Sequence, residues 1–230
     1  MRRDSKAEAP QYPYPDRPIR EPVIDQVHRD GRVVAAITRN GYGALVLNTS
    51  DVMFIDIDAP EVSGGWGLLR RKQGWAVGEL LQTTAAKLNT LAESDPLLGF
   101  RLYQTAAGLR VLVTGRTFDP VSDESDGIMT KLNADPRYMQ LCRMQACFRA
   151  RLTPKPWRCG VPRSPWTFPY PDDRRREDFE AWQRQYERAA SGYAVCQPVA
   201  SIGAAEPDDG TRPILIWHDE LACSEGLPLA

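Results

Sequence analysis

Short runs of alternating or β-branched apolar residues open the ordered part of the chain. Residues 32–38 and 44–48 have the composition of strands and enclose Asn40-Gly41, a tight-turn dipeptide, which predicts a β-hairpin. A more apolar run follows at residues 52–58, Val-Met-Phe-Ile-Asp-Ile-Asp, and ends before Ala59-Pro60. We therefore expect a hairpin followed by a third, more deeply buried strand.

Helical spacing replaces this pattern further along the chain. Apolar residues recur on one helical face until Ser94-Asp95-Pro96, which predicts a helix with Val77, Leu80, Leu81, Leu88 and Leu91 on that face. Two strands are predicted next, at 100–105 and 109–114, joined at Ala107-Gly108. A second helix is expected to start at Asp135-Pro136 and to carry an apolar stripe of Tyr138, Leu141, Met144, Phe148 and Leu152.

The order of these elements predicts an α+β fold. From residue 52 to 152 it matches the ferredoxin-like or RRM-like β-α-β-β-α-β unit without its last strand. Residues 193–201 or 212–218 can supply the closing strand. Before it lies an insertion, 153–192, which is rich in proline and aromatic residues and includes a helix. We expect that insertion to be docked on the domain. Residues 1–22, with five prolines, are expected to form a flexible arm, and residues 23–230 a single domain.

Composition and charge limit the class of protein. The formal net charge is -1, so any attraction to a polyanion must come from local clustering. No stretch approaches the ~20 apolar residues of a membrane span, so we expect a cytoplasmic protein without membrane contact. The five cysteines lack the paired spacing of a zinc site and are expected to be free thiols.

Asp56 and Asp58 form the most specific chemical motif of the sequence. Strand residues two apart share a face, so both aspartates lie opposite the apolar face, which consists of Met53, Ile55 and Ile57. We expect helices to cover the apolar face and the Asp face to stay open, together with Arg101, Tyr103 and Arg110. Two neighbouring carboxylates repel each other. Either the arginines neutralise them, or Mg²⁺ or Mn²⁺ binds there and the arginines hold substrate phosphates.

These residues also carry a family resemblance. Phe54-Ile55-Asp56-Ile57-Asp58 and the hairpin 101–111 resemble the D-x-D strand and the glycine-histidine hairpin of the archaeo-eukaryotic primase/polymerase-like superfamily. The resemblance covers about residues 52–115. It implies an RRM-like core with metal-dependent nucleotidyl transfer or nucleotide binding, in which Asp56 and Asp58 hold the metal ion. Asp219 is the preferred third acidic residue and Asp119 the alternative. The chain diverges at Arg110, which replaces the family's histidine.

A basic segment offers a second candidate surface. Residues 136–171 contain no Asp or Glu but do contain Arg137, Arg143, Arg149, Arg151, Lys155, Arg158 and Arg163. With Trp157 and Trp166 among them, this segment suits phosphate binding and base stacking, with Arg149, Arg151 and Lys155 as the phosphate-binding candidates. The alternative is that these arginines pair with the acidic residues at 123–126. His218, beside Asp219, is either a general base or metal ligand, or only a local hydrogen-bond partner.

Three functions follow from these patterns. The first is a primase-like, metal-dependent nucleotidyltransferase or nucleotide-binding protein, with Asp56, Asp58 and Asp219 as catalytic residues. The second is a non-enzymatic nucleic-acid-binding module that uses Phe54 and Tyr103 on the open sheet for stacking. The third is a protein-interaction module with no metal site.

Overall fold

The computed structural model of the chain describes residues 21–60, 66–203 and 206–230. Most of the predicted arm lies outside the described residues. Two antiparallel four-stranded sheets and five α-helices make up the α+β fold that the sequence predicts. The first sheet has the strand order β1, β2, β3, β7, with bounds Val23–Arg29, Arg32–Arg39, Leu45–Thr49 and Phe148–Arg151. The second has the order β4, β6, β5, β8, with bounds Phe54–Asp58, Gly108–Thr114, Gly99–Thr105 and Cys196–Ile202. The helices are α1 Trp66–Ser94, α2 Asp123–Lys131, α3 Pro136–Gln145, α4 Asp173–Ala190 and α5 Thr211–Ala222, and a 3₁₀ turn covers Pro156–Cys159.

The predicted hairpin is confirmed as β2 and β3, but the sheet begins one strand earlier. Strand β1 pairs with β2 across Asp30-Gly31, where both residues have positive φ, 50° and 74°. A two-residue turn with two positive φ angles is the common hairpin connection, and Asp-Gly is one of its favoured sequences. The chain immediately before β1 is held as well. Glu21 pairs with Arg149, and the Pro22 carbonyl accepts a hydrogen bond from the Arg39 amide at 3.1 Å.

The second sheet contains the predicted strand-helix-strand-strand order as β4, α1, β5 and β6. The closing strand, β8, comes from the first of the two predicted segments, and the other segment is helix α5. Strand β8 pairs with β5, at the edge away from β4. In the ferredoxin-like unit the last strand lies beside the first strand instead. The complete β-α-β-β-α-β arrangement is therefore not what this sheet shows.

The predicted helix over 135–152 is wrong in its second half. Helix α3 ends at Gln145, and Ala146 takes left-handed angles, φ 47° and ψ 42°. Residues 148–151 then form β7, which pairs with β3. The sequence Phe-Arg-Ala-Arg alternates apolar and charged residues, and this strand pattern overrides the helical spacing of Phe148 and Leu152.

The expectation of an open Asp face is also wrong. Helices α1, α2 and α3 cover one face of the second sheet, as predicted. The other face packs against the first sheet and α5, and it buries Phe54, Tyr103 and Leu112 to 1% exposure or less. Burying side chains of this size contributes roughly 1.5–3 kcal/mol each, so the apolar residues among the polar ones drive this face inward. Phe54 and Tyr103 are consequently not available for stacking bases.

The proline- and aromatic-rich insertion is docked on the first sheet, as predicted, because Arg39 of β2 pairs with Glu187 of α4 at 3.0 Å. Helix α4 places Phe179, Trp182, Tyr186 and Ala190 in a third apolar cluster with residues of the insertion. Trp182 Nε1 donates to the Pro162 carbonyl at 2.9 Å, and the Tyr186 hydroxyl donates to the Pro154 carbonyl at 2.6 Å. Among the described helices, none has the length and apolar character needed to cross a membrane.

Candidate phosphate-binding site

Strand register places three of the predicted site residues in one row. Asp56 of β4 lies opposite Arg110 of β6, and Arg110 lies opposite Tyr103 of β5. Residues directly opposite each other in antiparallel strands project to the same face. Asp58, two residues along β4, is exposed at the strand end. The predicted grouping of Asp56, Tyr103 and Arg110 on one face is therefore correct, although the first sheet and α5 cover that face.

Arg110 forms a bidentate ion pair with Asp56. Its Nε and Nη2 donate to the two Asp56 oxygens at 2.7 and 3.2 Å, and its Nη1 donates to the Arg151 carbonyl at 2.8 Å. Burial alone would raise the pKa of Asp56, but the Arg110 guanidinium holds that pKa below its usual value. The Arg110 side chain is fully buried and its donors are engaged. It is therefore not the phosphate clamp that the sequence predicts.

A buried hydrogen-bond network continues from Arg110. Its Nη1 lies 3.4 Å from His218 Nε2, and His218 Nδ1 lies 2.9 Å from Asp219 Oδ1. Arginine only donates, so Nε2 must accept and Nδ1 must carry the proton given to Asp219. Tyr103 donates to the same Asp219 oxygen at 2.8 Å. Burial and the Arg110 charge lower the pKa of His218, and the hydrogen bond to Asp219 opposes them. His218 is thus a neutral, local hydrogen-bond partner.

The acidic residues do not converge on one point. Arg110 and His218 stand between Asp56 and Asp219, so Asp219 is not a third carboxylate beside the Asp pair. Asp119 is engaged in the turn before α2, where its Oδ1 accepts from the Val121 amide at 2.9 Å. Partial burial and the negative charges of Asp135 and Asp56 raise the pKa of Asp58.

The donor set does not fit a resident Mg²⁺ or Mn²⁺ ion. Both Asp56 oxygens are held by Arg110, which leaves Asp58 as the one uncommitted carboxylate of the pair. Within the described residues, the group of three donors close enough to share an ion is His218, Asp219 and Cys223, all within 4.8 Å. Because His218 Nδ1 carries a proton, it offers no lone pair to a metal there.

The basic segment supplies a different kind of cluster. We define the cation cluster as Arg151 of β7, Lys155 before the 3₁₀ turn and Arg158 within it. Across the described part of the chain, none of the three side chains has a carboxylate partner within salt-bridge distance. The Nε of Arg151 is buried without any hydrogen-bond partner.

The pKa values of Lys155 and Arg158 are both lowered. Burial, followed by the Arg151 and Arg158 charges, lowers the pKa of Lys155 to about 8. Burial and Arg151 also lower the pKa of Arg158. The carboxylates of Asp58 and Asp56 oppose the shift at Lys155 without reversing it. The cation cluster therefore carries a partly desolvated positive charge that Asp58 and Asp56 offset only in part.

Trp157 extends the cation cluster with an exposed ring. It is 43% exposed and has the Arg163 guanidinium carbon 4.8 Å and the Lys155 ammonium 5.7 Å from its ring centroid. Tyr42, in the turn after β2, contacts the same ring edge-on at 5.4 Å. An aromatic ring among cations is the arrangement that stacks bases and holds phosphates.

Two further predicted phosphate ligands lie elsewhere. Arg149 pairs with Glu21 at 2.9 Å and donates to Gln145, so its charge is neutralised. Arg101 donates to Ser201 of β8. Arg158 was missed, although it lies in the same acid-free segment as the residues selected. Its position beside Lys155 in the 3₁₀ turn is the feature that distinguishes it.

The alternative that arginines of the segment pair with the acidic residues at 123–126 holds for one of them. Arg143 pairs with Asp126 at 2.6 Å and with Asp123 at 3.4 Å. The segment thus contains two arginines with acidic partners, Arg143 and Arg149, as well as the cation cluster, while Arg163 contacts the Trp157 ring. When the chain was compared with protein-family models, with curated proteins and with solved structures, none of them matched it.

Proposed function

We propose that the chain binds the phosphate groups of a nucleotide or nucleic acid at the cation cluster. The observation that carries this proposal is the grouping of Arg151, Lys155 and Arg158 with no carboxylate within salt-bridge distance among the residues that the structure describes. Like charges brought together and partly desolvated destabilise a fold unless an anion joins them. A phosphate supplies that anion, and guanidinium groups match its geometry with paired N–H donors.

The buried arginines support this interpretation by contrast with Arg151 and Arg158, which are half-buried. Arg39, Arg110 and Arg149 are each at most 7% exposed, and each has a carboxylate partner: Glu187, Asp56 and Glu21 respectively. The fold thus supplies an acid where an arginine serves only structure. Its failure to do so for Arg151 and Arg158 favours an external anion.

Trp157 favours a ligand that carries a base. A simple anion would gain nothing from an exposed indole beside its cations. A nucleotide or a single-stranded nucleic acid gains base stacking, worth about 1–3 kcal/mol per base by alanine substitution. Trp166 and Tyr170 of the insertion pack against α4 of the same chain, which makes them poorer candidates for docking a partner protein.

Fluorescence anisotropy with a labelled single-stranded oligonucleotide tests the proposal. The wild type should bind, with log K falling against log salt at a slope of about -2, as expected for three single-strand phosphate contacts. Arg151→Gln/Arg158→Gln should weaken binding at least tenfold. The matched control is Arg184→Gln, on the exposed side of α4. Equal binding by the double variant and the control would refute the site.

Metal-dependent nucleotidyl transfer is a separate prediction of the primase-like resemblance. If it is right, Mn²⁺ should raise the melting temperature of the wild type, and Asp58→Asn should abolish that gain. Phosphate binding at the cation cluster is expected to persist in EDTA. Binding that requires Mn²⁺ would favour the metal-dependent enzyme over the metal-free binding protein.

A further inference from the structure

Lys155 occupies an unusual position for a lysine. It lies between two buried prolines, Pro154 and Pro156, and is itself partly buried. Its carbonyl accepts a hydrogen bond from the Arg158 amide at 2.9 Å. The main chain of Lys155 is therefore held by this bond and by the two flanking prolines. The side chain is therefore presented from a rigid turn rather than from a mobile loop.

The charged groups around the Lys155 amine come from three elements. Arg151 of β7 and Arg158 of the 3₁₀ turn disfavour its protonated form, while Asp58 and Asp56 of β4 favour it. The balance, with burial, gives a pKa of about 8. At pH 8 about half of such amines are neutral, against less than about 1% for an ordinary lysine with a pKa near 10.4. Only the neutral amine is a nucleophile, and a neighbouring cation is a known means of activating it.

We propose that Lys155 is an acyl-acceptor site for acyl phosphates, whose phosphate group would bind to Arg151 and Arg158. This inference rests on the proposed function for the binding of that phosphate. An acyl phosphate carries its carbonyl carbon one oxygen away from phosphorus. A phosphate held by the two guanidinium groups would therefore bring the carbonyl near the Lys155 amine, because Lys155 and Arg158 share one turn and both arginines act electrostatically on that amine.

The chemical step needs no oxidant, reductant or further reactant. The lone pair of Lys155 Nζ attacks the carbonyl carbon and a C–N bond forms. The bond from that carbon to the phosphate oxygen breaks, and inorganic phosphate leaves with the electron pair. The amine proton passes to the departing phosphate or to water. Arg151 and Arg158 stabilise the charge on the leaving phosphate.

Acylation of Lys155 would also change the proposed binding. The amide is neutral, so the cation cluster would fall from three charges to two. We expect the acylated protein to bind the oligonucleotide several-fold more weakly and with a shallower salt dependence.

The test uses acetyl phosphate and the full chain at pH 8, with acetylation followed peptide by peptide by mass spectrometry. Lys131, exposed at the end of α2, is the internal control. Lys155 should be acetylated at least tenfold faster than Lys131, and inorganic pyrophosphate should protect Lys155 selectively. Arg151→Gln/Arg158→Gln should remove the preference for acetyl phosphate. p-Nitrophenyl acetate, a donor without phosphate, should lose reactivity towards Lys155 in that variant only as far as removal of the two cations raises the Lys155 pKa, and so several-fold less than acetyl phosphate does.

The outcomes separate this inference from the proposed function. Acetylation of Lys155 no faster than of Lys131, in a protein that binds pyrophosphate, overturns the inference alone. Fast acetylation by both donors without pyrophosphate protection also overturns it, because the phosphate would then play no part. A wild type that binds neither pyrophosphate nor oligonucleotide refutes the proposed function itself. Pyrophosphate protection is measured on the wild type, so the result does not depend on the variant folding.

Discussion

Arg110 donates a hydrogen bond to the Arg151 carbonyl, yet the guanidinium groups of the two residues have opposite surroundings. Arg110 is fully buried and has Asp56, a carbonyl oxygen and His218 as partners. Arg151 has an orphaned buried Nε and two cationic neighbours, Lys155 and Arg158. A buried charge costs several kcal/mol unless it is paired. Arg110, whose donors have partners, is therefore best explained by a structural role. Arg151, whose Nε has no partner in the described part of the chain, is best explained by a bound ligand.

The largest effect is expected on stability, at the ion pair between Arg110 and Asp56. Asp56→Ala leaves the fully buried Arg110 without its carboxylate and should lower the free energy of unfolding by about 3–5 kcal/mol. Asp58→Ala is the matched control, on the same strand and face but exposed beside other acids. It should change the free energy of unfolding by less than about 0.5 kcal/mol. Urea unfolding measures both. Equal losses in the two variants would contradict the distinction between these aspartates.

A pH dependence of stability should come from His218. Its pKa is lowered in the folded protein, so near pH 6 the unfolded chain binds more protons than the folded one. Stability is then complete above the unfolded value of about 6.5 and falls as pH decreases below it, by at most about 1.4 kcal/mol per pH unit. Urea unfolding between pH 5.5 and 8 measures this slope.

His218→Gln is the variant that isolates this contribution. It should be less stable than the wild type at pH 8 but should show a flat profile between pH 5.5 and 7. Asp56, whose folded pKa is lowered, contributes stability that is lost only at more acidic pH. A slope that persists in His218→Gln would assign the effect to another group.

A smaller effect is expected at Trp157. Trp157→Ala removes the exposed ring of the cation cluster and should weaken oligonucleotide binding about tenfold, while pyrophosphate binding changes by less than about twofold. Phe168→Ala is the matched control, because Phe168 is also 43% exposed and lies in the same insertion. It should leave both affinities unchanged. Anisotropy and calorimetric titrations measure the two ligands, and an equal loss of both in Trp157→Ala would argue against stacking.

The smallest expected effect is on stability, at the cation cluster. Arg158→Gln removes a cation that has no acidic partner within the described chain, and it relieves repulsion with Arg151. The free energy of unfolding should stay within about 0.5 kcal/mol of the wild type or rise slightly. Pyrophosphate affinity should nevertheless fall. A loss of stability like that of Asp56→Ala would mean that Arg158 has a structural role.

The sequence predicted those elements whose evidence is local. Alternation and turn residues indicated β2, β3, β4, β5 and β6, and apolar spacing with Ser94-Asp95-Pro96 indicated the end of α1. The shared face of Asp56, Arg110 and Tyr103 also followed from alternation, and the observed register aligns the three in one row. The helix predicted through Phe148 failed because helical spacing and strand alternation both fit that stretch. Its pairing with β3 decided between them.

By itself, then, the sequence determined the α+β class, the shared face of Asp56 and Arg110, and an acid-free basic segment. Only the tertiary structure decided that this face is buried and that Arg110 pairs with Asp56. It also decided that Arg149 has a salt-bridge partner, whereas Arg151 and Lys155 have none among the described residues. The physical reason is distance along the chain. Arg110 and Asp56 are 54 residues apart, Tyr103 and Asp219 116, and Arg149 and Glu21 128. Alternation tells which face a charge lies on, but its partner is set by how the two sheets and α5 pack.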